Sequence, residues 1–241
     1  MDRLLQRPAP LLILLFCLLA AAPYPAFADK SATTSIPAQQ LEHLKNIQKK
    51  YQKLTSLHFS FQQTVQSNGR LRYGEGNCIF YRSVSGRPGI MRWNYTKPDV
   101  QIILNDGKDL SIYTQKDKQL LVTSAKDLQT DIIYSFFSGN RNLLDDFTIL
   151  PANDRFLTQG DKKVLVVQLI PTQPHGQVRA IHLWFDEQSI LRKLLMEDHF
   201  DTVTELIFTQ VKFDTLAPES VEIATQLVLL ELPPDTEVIK Q

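Results

Sequence analysis

Apolar and polar side chains alternate with a period of two, in short runs repeated along most of the chain. Leu57, Phe59 and Phe61 alternate with His58, Ser60 and Gln62, and Ser67-Asn68-Gly69 supplies a turn into a second run over 70–81. Successive side chains of a strand point to opposite faces, so each such run reads as a strand with an apolar side. Further runs follow at 90–95, 100–105, 109–114, 119–123, 147–150, 163–170, 177–185, 190–196, 202–213 and 222–231. Their early connectors, Lys97-Pro98-Asp99, Asp106-Gly107 and Lys116-Asp117-Lys118, have hairpin length and turn-forming residues. The fold class predicted is mainly β: one antiparallel sheet, strongly curved or partly closed.

Helical spacing interrupts this pattern in three places. Leu41, Leu44, Ile47, Tyr51 and Leu54 recur every three or four residues, with lysines elsewhere around the helix and Pro37 suited to its first turn. Leu128, Ile132, Ile133, Phe136 and Phe137 share one aromatic, apolar face that ends at Gly139. A short helical piece covers 142–146. Several strands are apolar on both sides. In Ile181-His182-Leu183-Trp184-Phe185 and in Leu206-Ile207-Phe208, neighbouring apolar side chains must point opposite ways. Two arrangements satisfy this: a core on one face with a helix or neighbour on the other, or a curved sheet enclosing an apolar cavity.

The first 28 residues have the three parts of an export signal. Arg3 and Arg7 give a positive start, an uncharged Leu-rich run covers 11–22, and Ala26-Phe27-Ala28 precedes Asp29 as a small-x-small cleavage pattern. The apolar run is short for a bilayer span, which takes about 20 residues. Cleavage after Ala28 is expected, then a flexible leader over 29–35 and a single domain over 36–241. Without the signal the chain holds 24 basic and 25 acidic residues, so no net charge excess points to nucleic acid or an anionic surface. Cys17 lies in the signal, behind Leu15-Phe16 rather than the small residues of a lipidation site. Cys78 is then alone and reads as a buried, inert thiol.

No catalytic constellation is legible. His43, His58, His175, His182 and His199 lack partners at metal-ligand spacing, and neither a nucleophile elbow nor a phosphate-binding glycine loop occurs. The dense polar group Glu197, Asp198, His199 and Asp201 lies between two strands, where a turn needs such residues. No cofactor and no metal are expected, and a binding protein is favoured over an enzyme.

Several segments together resemble the LolA family of periplasmic lipoprotein carriers. Leu54-Thr55-Ser56-Leu57-His58-Phe59-Ser60-Phe61-Gln62-Gln63 is similar to its first strand. Gly74-x-Gly76 and Arg87-Pro88-Gly89-Ile90-Met91-Arg92-Trp93-x-Tyr95 are similar to its G-x-G and R-P-x-x-x-x-W segments. Asn105-Asp106-Gly107-Lys108, Phe137-Ser138-Gly139-Asn140 and the tail from Leu232-Pro233-Pro234 to Val238 follow in family order. The loop 82–86 is longer than usual, and Thr236 stands where glycine is common.

The resemblance implies an incomplete, strongly curved antiparallel β-barrel with a helical lid over an apolar cavity. It implies a carrier of acylated lipoproteins from an inner-membrane ABC transporter to an outer-membrane receptor, working as a monomer. Cavity and lid would be formed by Phe59, Phe61, Met91, Trp93, Ile132, Ile133, Phe136 and Phe137. Arg87 matches a family arginine that holds lid carbonyls, and Met91 a position that faces transfer partners. A relative carrying or sensing another lipid, and a periplasmic lipid hydrolase, are the alternatives.

Overall fold

The computed structural model describes residues 36–82, 89–125, 143–152, 156, 164–173 and 178–241, with only the backbone of 143 and 144. Twelve strands among them form one sheet: β1 (Ser56–Ser67), β2 (Arg70–Tyr81), β3 (Ile90–Lys97), β4 (Gln101–Asn105), β5 (Asp109–Thr114), β6 (Gln119–Ser124), β7 (Phe147–Pro151), β8 (Leu165–Pro171), β9 (Val178–Phe185), β10 (Leu191–Asp198), β11 (Val203–Phe213) and β12 (Glu237–Lys240). The spatial order is β12-β6-β5-β4-β3-β2-β1-β11-β10-β9-β8-β7. β12 and β7 end the order without pairing with each other, so the curved sheet is an unclosed barrel.

Two meanders meet at β1 and β11, which pair across about 150 residues of sequence, Phe61 opposite Phe208. The β1–β2 hairpin turns on Asn68 and Gly69, both with positive φ (49° and 71°), the conformation a two-residue turn between twisted strands requires. All pairings are antiparallel except one. The last strand, β12, runs parallel to β6, Val238 opposite Leu120.

Helix α1 (Ala38–Lys53) buries Leu44, Ile47 and Tyr51, as its spacing predicts. Its anchor is Tyr51. The hydroxyl accepts a hydrogen bond from the Leu191 amide at 2.9 Å, and the ring meets Phe213 edge-on at 5.6 Å. α1 therefore seats against the ends of β10 and β11. A short helix, α2 (Leu143–Asp146), leads into β7.

The segment 222–231, predicted as a strand, is instead helical as far as Val228 and extended only at Leu229. α3 (Val221–Val228) is capped by Ser220, whose hydroxyl accepts from the Ile223 amide at 3.2 Å. Ile223, Ala224, Leu227 and Val228 recur at i, i+1, i+4 and i+5 and pack on Tyr81, Ile90 and Leu104. β-branched residues suggested a strand, but the spacing and the cap select the helix. The chain after β11 is thus a strap over the outside of the sheet. Tyr81 Oη donates to the Ala217 carbonyl and accepts from the Ser220 amide, both at 2.8 Å. Arg92 Nη1 donates to the Leu227 and Leu229 carbonyls at 3.0 and 2.7 Å. Beyond Pro234 the strap ends as β12.

Candidate functional site: the inner face of the sheet

Strand alternation and register sort the central side chains into rows. On β1, Leu57, Phe59, Phe61, Gln63 and Val65 are buried, while Gln62 and Gln66 are exposed and the other outward residues from His58 on half-buried. The odd-numbered side is therefore the inner face. One inner row runs Phe59, Cys78, Trp93, Ile103 across β1 to β4. The next runs Phe208, Phe61, Gly76, Tyr95 across β11, β1, β2 and β3. A third runs Leu57, Phe80, Met91.

β2 contributes small residues where its neighbours contribute rings. Gly74, Gly76 and Cys78 line its inner side, so the rings of β1 reach those of β3 over them. Phe59 meets Trp93 at 5.4 Å and Phe208 at 5.0 Å; Phe61 meets Trp93 at 4.8 Å and Tyr95 at 4.9 Å, all edge-to-face. Such pairs add about 0.5–1.5 kcal/mol each beyond the area they bury. The spaces are close-fitting. A Cβ on Gly76 would lie 2.0 Å from the Asn94 carbonyl oxygen, and one on Gly74 3.2 Å from the Tyr95 ring. The apolar floor continues through Leu206 and Leu194 to Ile181, Leu183, Val167 and Leu169, all buried.

The inner face disfavours charge. Burial pushes the Cys78 thiol well above its usual range, and burial, then the nearby Cys78, does the same to the Tyr95 phenol. The Tyr95 hydroxyl donates to Gln63 Oε1 at 3.1 Å, which pairs two buried polar groups of this face. Cys78 is buried and free, as its isolation in the sequence predicts. Among the described residues no three His, Cys, Asp or Glu side chains group as metal ligands.

The outer face is different. Between β11, β1, β2 and β3 it holds a shallow groove open to solvent, lined by the polar side chains of Ser60, Gln62, Glu75, Asn77, Thr96 and Thr209 with Phe61 and Gly76. Under β9 and β10, His182 and Trp184 point outward against Phe156, at 4.3 and 5.8 Å. The two-sided apolarity of 181–185 thus has a neighbour on the outside and the inner floor on the inside. The polar group at 197–201 serves its turn. Asp198 Oδ1 accepts from the amides of Phe200 and Thr202 at 2.7 Å, and Arg179 bridges Glu197 and Asp201 at 3.1 Å.

Of the residues singled out in the sequence, Phe59, Phe61, Met91 and Trp93 share the inner face, with exposures of 3, 1, 2 and 6%. Ile132, Ile133, Phe136, Phe137 and Arg87 lie outside the described residues. Tyr95, Phe208 and the small seam on β2 complete the aromatic cluster. Tyr95 was findable two residues beyond Trp93 on the same side. Phe208 was not, because nothing local pairs it with Phe61.

Fold and site together define a class: an open β-barrel with a largely apolar inner face and no catalytic constellation among its described residues. The model of the outer membrane lipoprotein carrier protein LolA matches residues 52–221, and the chain belongs to this family. It is 30% identical over 162 residues to an outer-membrane lipoprotein carrier protein of Nitrosomonas europaea, covering 65% of this chain and 76% of the relative. It is 28% identical over 163 residues to the protein of that name in Chromobacterium violaceum, covering 68% and 73%. Among solved structures, an uncharacterized conserved protein from Thermus thermophilus shares the fold, with a TM-score of 0.50 at 13% identity over 84% of this chain and all of that one.

Proposed function

We propose that this chain is an exported, periplasmic carrier of acylated lipoproteins, and that the inner face of its sheet shelters their acyl chains. The observation that carries this is the largely apolar, ring-rich inner face of an unclosed sheet, in a chain of the LolA family. An acyl chain of about 15 methylenes resists entering water by roughly 12 kcal/mol, at about 0.8 kcal/mol each. A carrier must offer comparable apolar surface and then give it back, which an open sheet permits and a sealed core does not. No covalent step is needed, so the role is binding rather than catalysis.

In this reading Phe59, Phe61 and Trp93 are the wall. The helical face of Ile132, Ile133, Phe136 and Phe137 is the lid, and Arg87 is its latch. Guanidinium has several donors in a fixed fork, suited to bridging carbonyls; Arg92 does this on the outer face. Met91, buried beside the wall, meets a partner only when the interior opens. Cargo would arrive from an inner-membrane ABC transporter and leave to an outer-membrane receptor, after the export signal is cut behind Ala28.

The test is release of a labelled lipoprotein from spheroplasts by the purified protein. A soluble one-to-one complex is expected. No release by the folded protein beside a cognate transporter sinks the proposal, and a cleaved acyl chain points to a hydrolase. Arg87→Leu should weaken transfer and probe retention; if neither changes, the latch assignment is wrong.

A further inference from the structure

β2 and β3 bear the inner wall on one side and seat the strap on the other. On β3, Met91 and Trp93 point inward, while Arg92 between them points outward, opposite Leu104 of the core under α3. On β2, Phe80 points inward and Tyr81 outward, opposite Ile90 of the same core. The wall of the acyl site and the seat of the strap are therefore alternate side chains of the same two strands.

Packing alone holds the strap lightly. Every residue of α3 is at least partly exposed, Val221 to 54%, and a helix this short is not stable in water by itself. One side chain ties each end. Tyr81 Oη bonds the Ala217 carbonyl and the Ser220 amide before α3, and Arg92 Nη1 the Leu227 and Leu229 carbonyls at its close. The last carbonyls of a helix lack partners within it, and a guanidinium there also meets the negative end of the helix dipole. Arg92 is aimed from behind: its Nε donates to Asn94 Oδ1 at 2.9 Å, and Asn94 Nδ2 donates to Asn77 Oδ1 at 3.0 Å, across to β2.

We propose that Arg92 and Tyr81 are positioning residues that make the strap an outer clamp on the acyl site, an inference that rests on the carrier reading. The inner rings are at most 6% exposed, so an acyl chain enters or leaves as the wall and whatever covers it give way. A shift of β3 carries Arg92 along with Trp93 and strains its bonds to the strap. The held strap thus slows entry and release alike, and a loosened strap speeds both. Affinity changes little, because the inner side chains that meet the chain are the same in either state.

Stopped-flow quenching of Trp93 by dibromostearic acid tests it, with the purified exported protein in a Trp184→Phe background. Arg92→Leu should speed both entry and release on the order of tenfold, with a smaller change in the dissociation constant. Arg92→Lys, which keeps a cationic donor, should give an intermediate increase, and Tyr81→Phe should act in the same direction by about threefold. Amide exchange in Arg92→Leu should quicken over 221–228 and 90–95 and stay unchanged over 180–185, a local loosening that a general loss of stability would not produce. Quenching whose release rate Arg92→Leu leaves unchanged, or whose release quickens while entry does not, overturns the clamp and leaves the carrier reading standing. Absence of quenching in the parent protein overturns the acyl site and this inference with it. If circular dichroism shows Arg92→Leu unfolded, Tyr81→Phe decides in its place, and unchanged rates there overturn the clamp.

Discussion

Gly76 and Gly74 separate two kinds of glycine requirement. At Gly76 the obstruction is backbone: a Cβ would lie 2.0 Å from the Asn94 oxygen and 2.9 Å from the Tyr95 Cα. The β2–β3 register shifts at this point, between Glu75 and Gly76, and brings the strands too close for any side chain. Gly76→Ala should therefore cost on the order of 3 kcal/mol, read as a lowered urea midpoint. At Gly74 the neighbours are the Tyr95 ring and Gln63 Oε1, at 3.2 and 3.4 Å, and both can shift. Gly74→Ala should cost about 1 kcal/mol or less. Equal losses at the two sites would contradict this account. Between them and Trp93, Cys78 is buried and held neutral by burial. It should resist a thiol reagent at mildly alkaline pH in the folded protein and react on unfolding; prompt reaction when native would show that the inner face admits water.

At the scale of elements, the junction of α1, β1 and β11 depends on one carboxylate. Asp214 Oδ1 accepts from the amides of Thr55 and Ser56 at 2.7 and 3.2 Å and from the Thr55 hydroxyl at 2.9 Å. Burial pushes its pKa up, but these bonds and Arg82 outweigh burial, and the net shift is downward. Protonation therefore favours the unfolded chain. The stabilisation is full above the ordinary aspartate value of about 3.9, and it fades as pH falls through the lower folded value. The urea midpoint should drop below about pH 4, and Asp214→Asn should lower it at neutral pH and flatten that drop. Parallel curves for the two proteins would remove Asp214 from the account.

Most elements are legible in the sequence, because alternation and turn residues are local signals. The strands from 57 to 123, the leading helix and the return at 147 all lie where their patterns put them, within a residue or two. The exceptions are long-range. Helix α3 reads as a strand by composition until Tyr81, Ile90 and Leu104 give its apolar side something to cover. β12 is four residues long and pairs in parallel with a strand more than 100 residues earlier, which no local signal encodes. The same holds for the site. Phe59, Phe61, Met91 and Trp93 could be assigned to one face from alternation alone. That Gly76 and Cys78 let the rings of β1 and β3 meet required the register of β2.

The whole molecule separates its two tryptophans by the thickness of the sheet. Trp93 is on the inner face, among Phe59 and Phe61. Trp184 is on the outer face, edge-on to Phe156 and beneath Lys193 Nζ at 4.8 Å from its ring. Since the chain has only these two, variants Trp184→Phe and Trp93→Phe each report one face. The carrier proposal requires an acyl chain to lie against the inner rings, which are at most 6% exposed in the cargo-free protein, so cargo must displace whatever covers them. A brominated acyl probe should therefore quench Trp93 in the first variant and leave Trp184 in the second nearly unquenched. Binding should also raise the unfolding temperature, by mass action on the folded state: about 2.7 kcal/mol at a hundredfold excess over Kd. Quenching of Trp184 with Trp93 silent would place the acyl chain on the outer face, and the inner rings would then be a core alone.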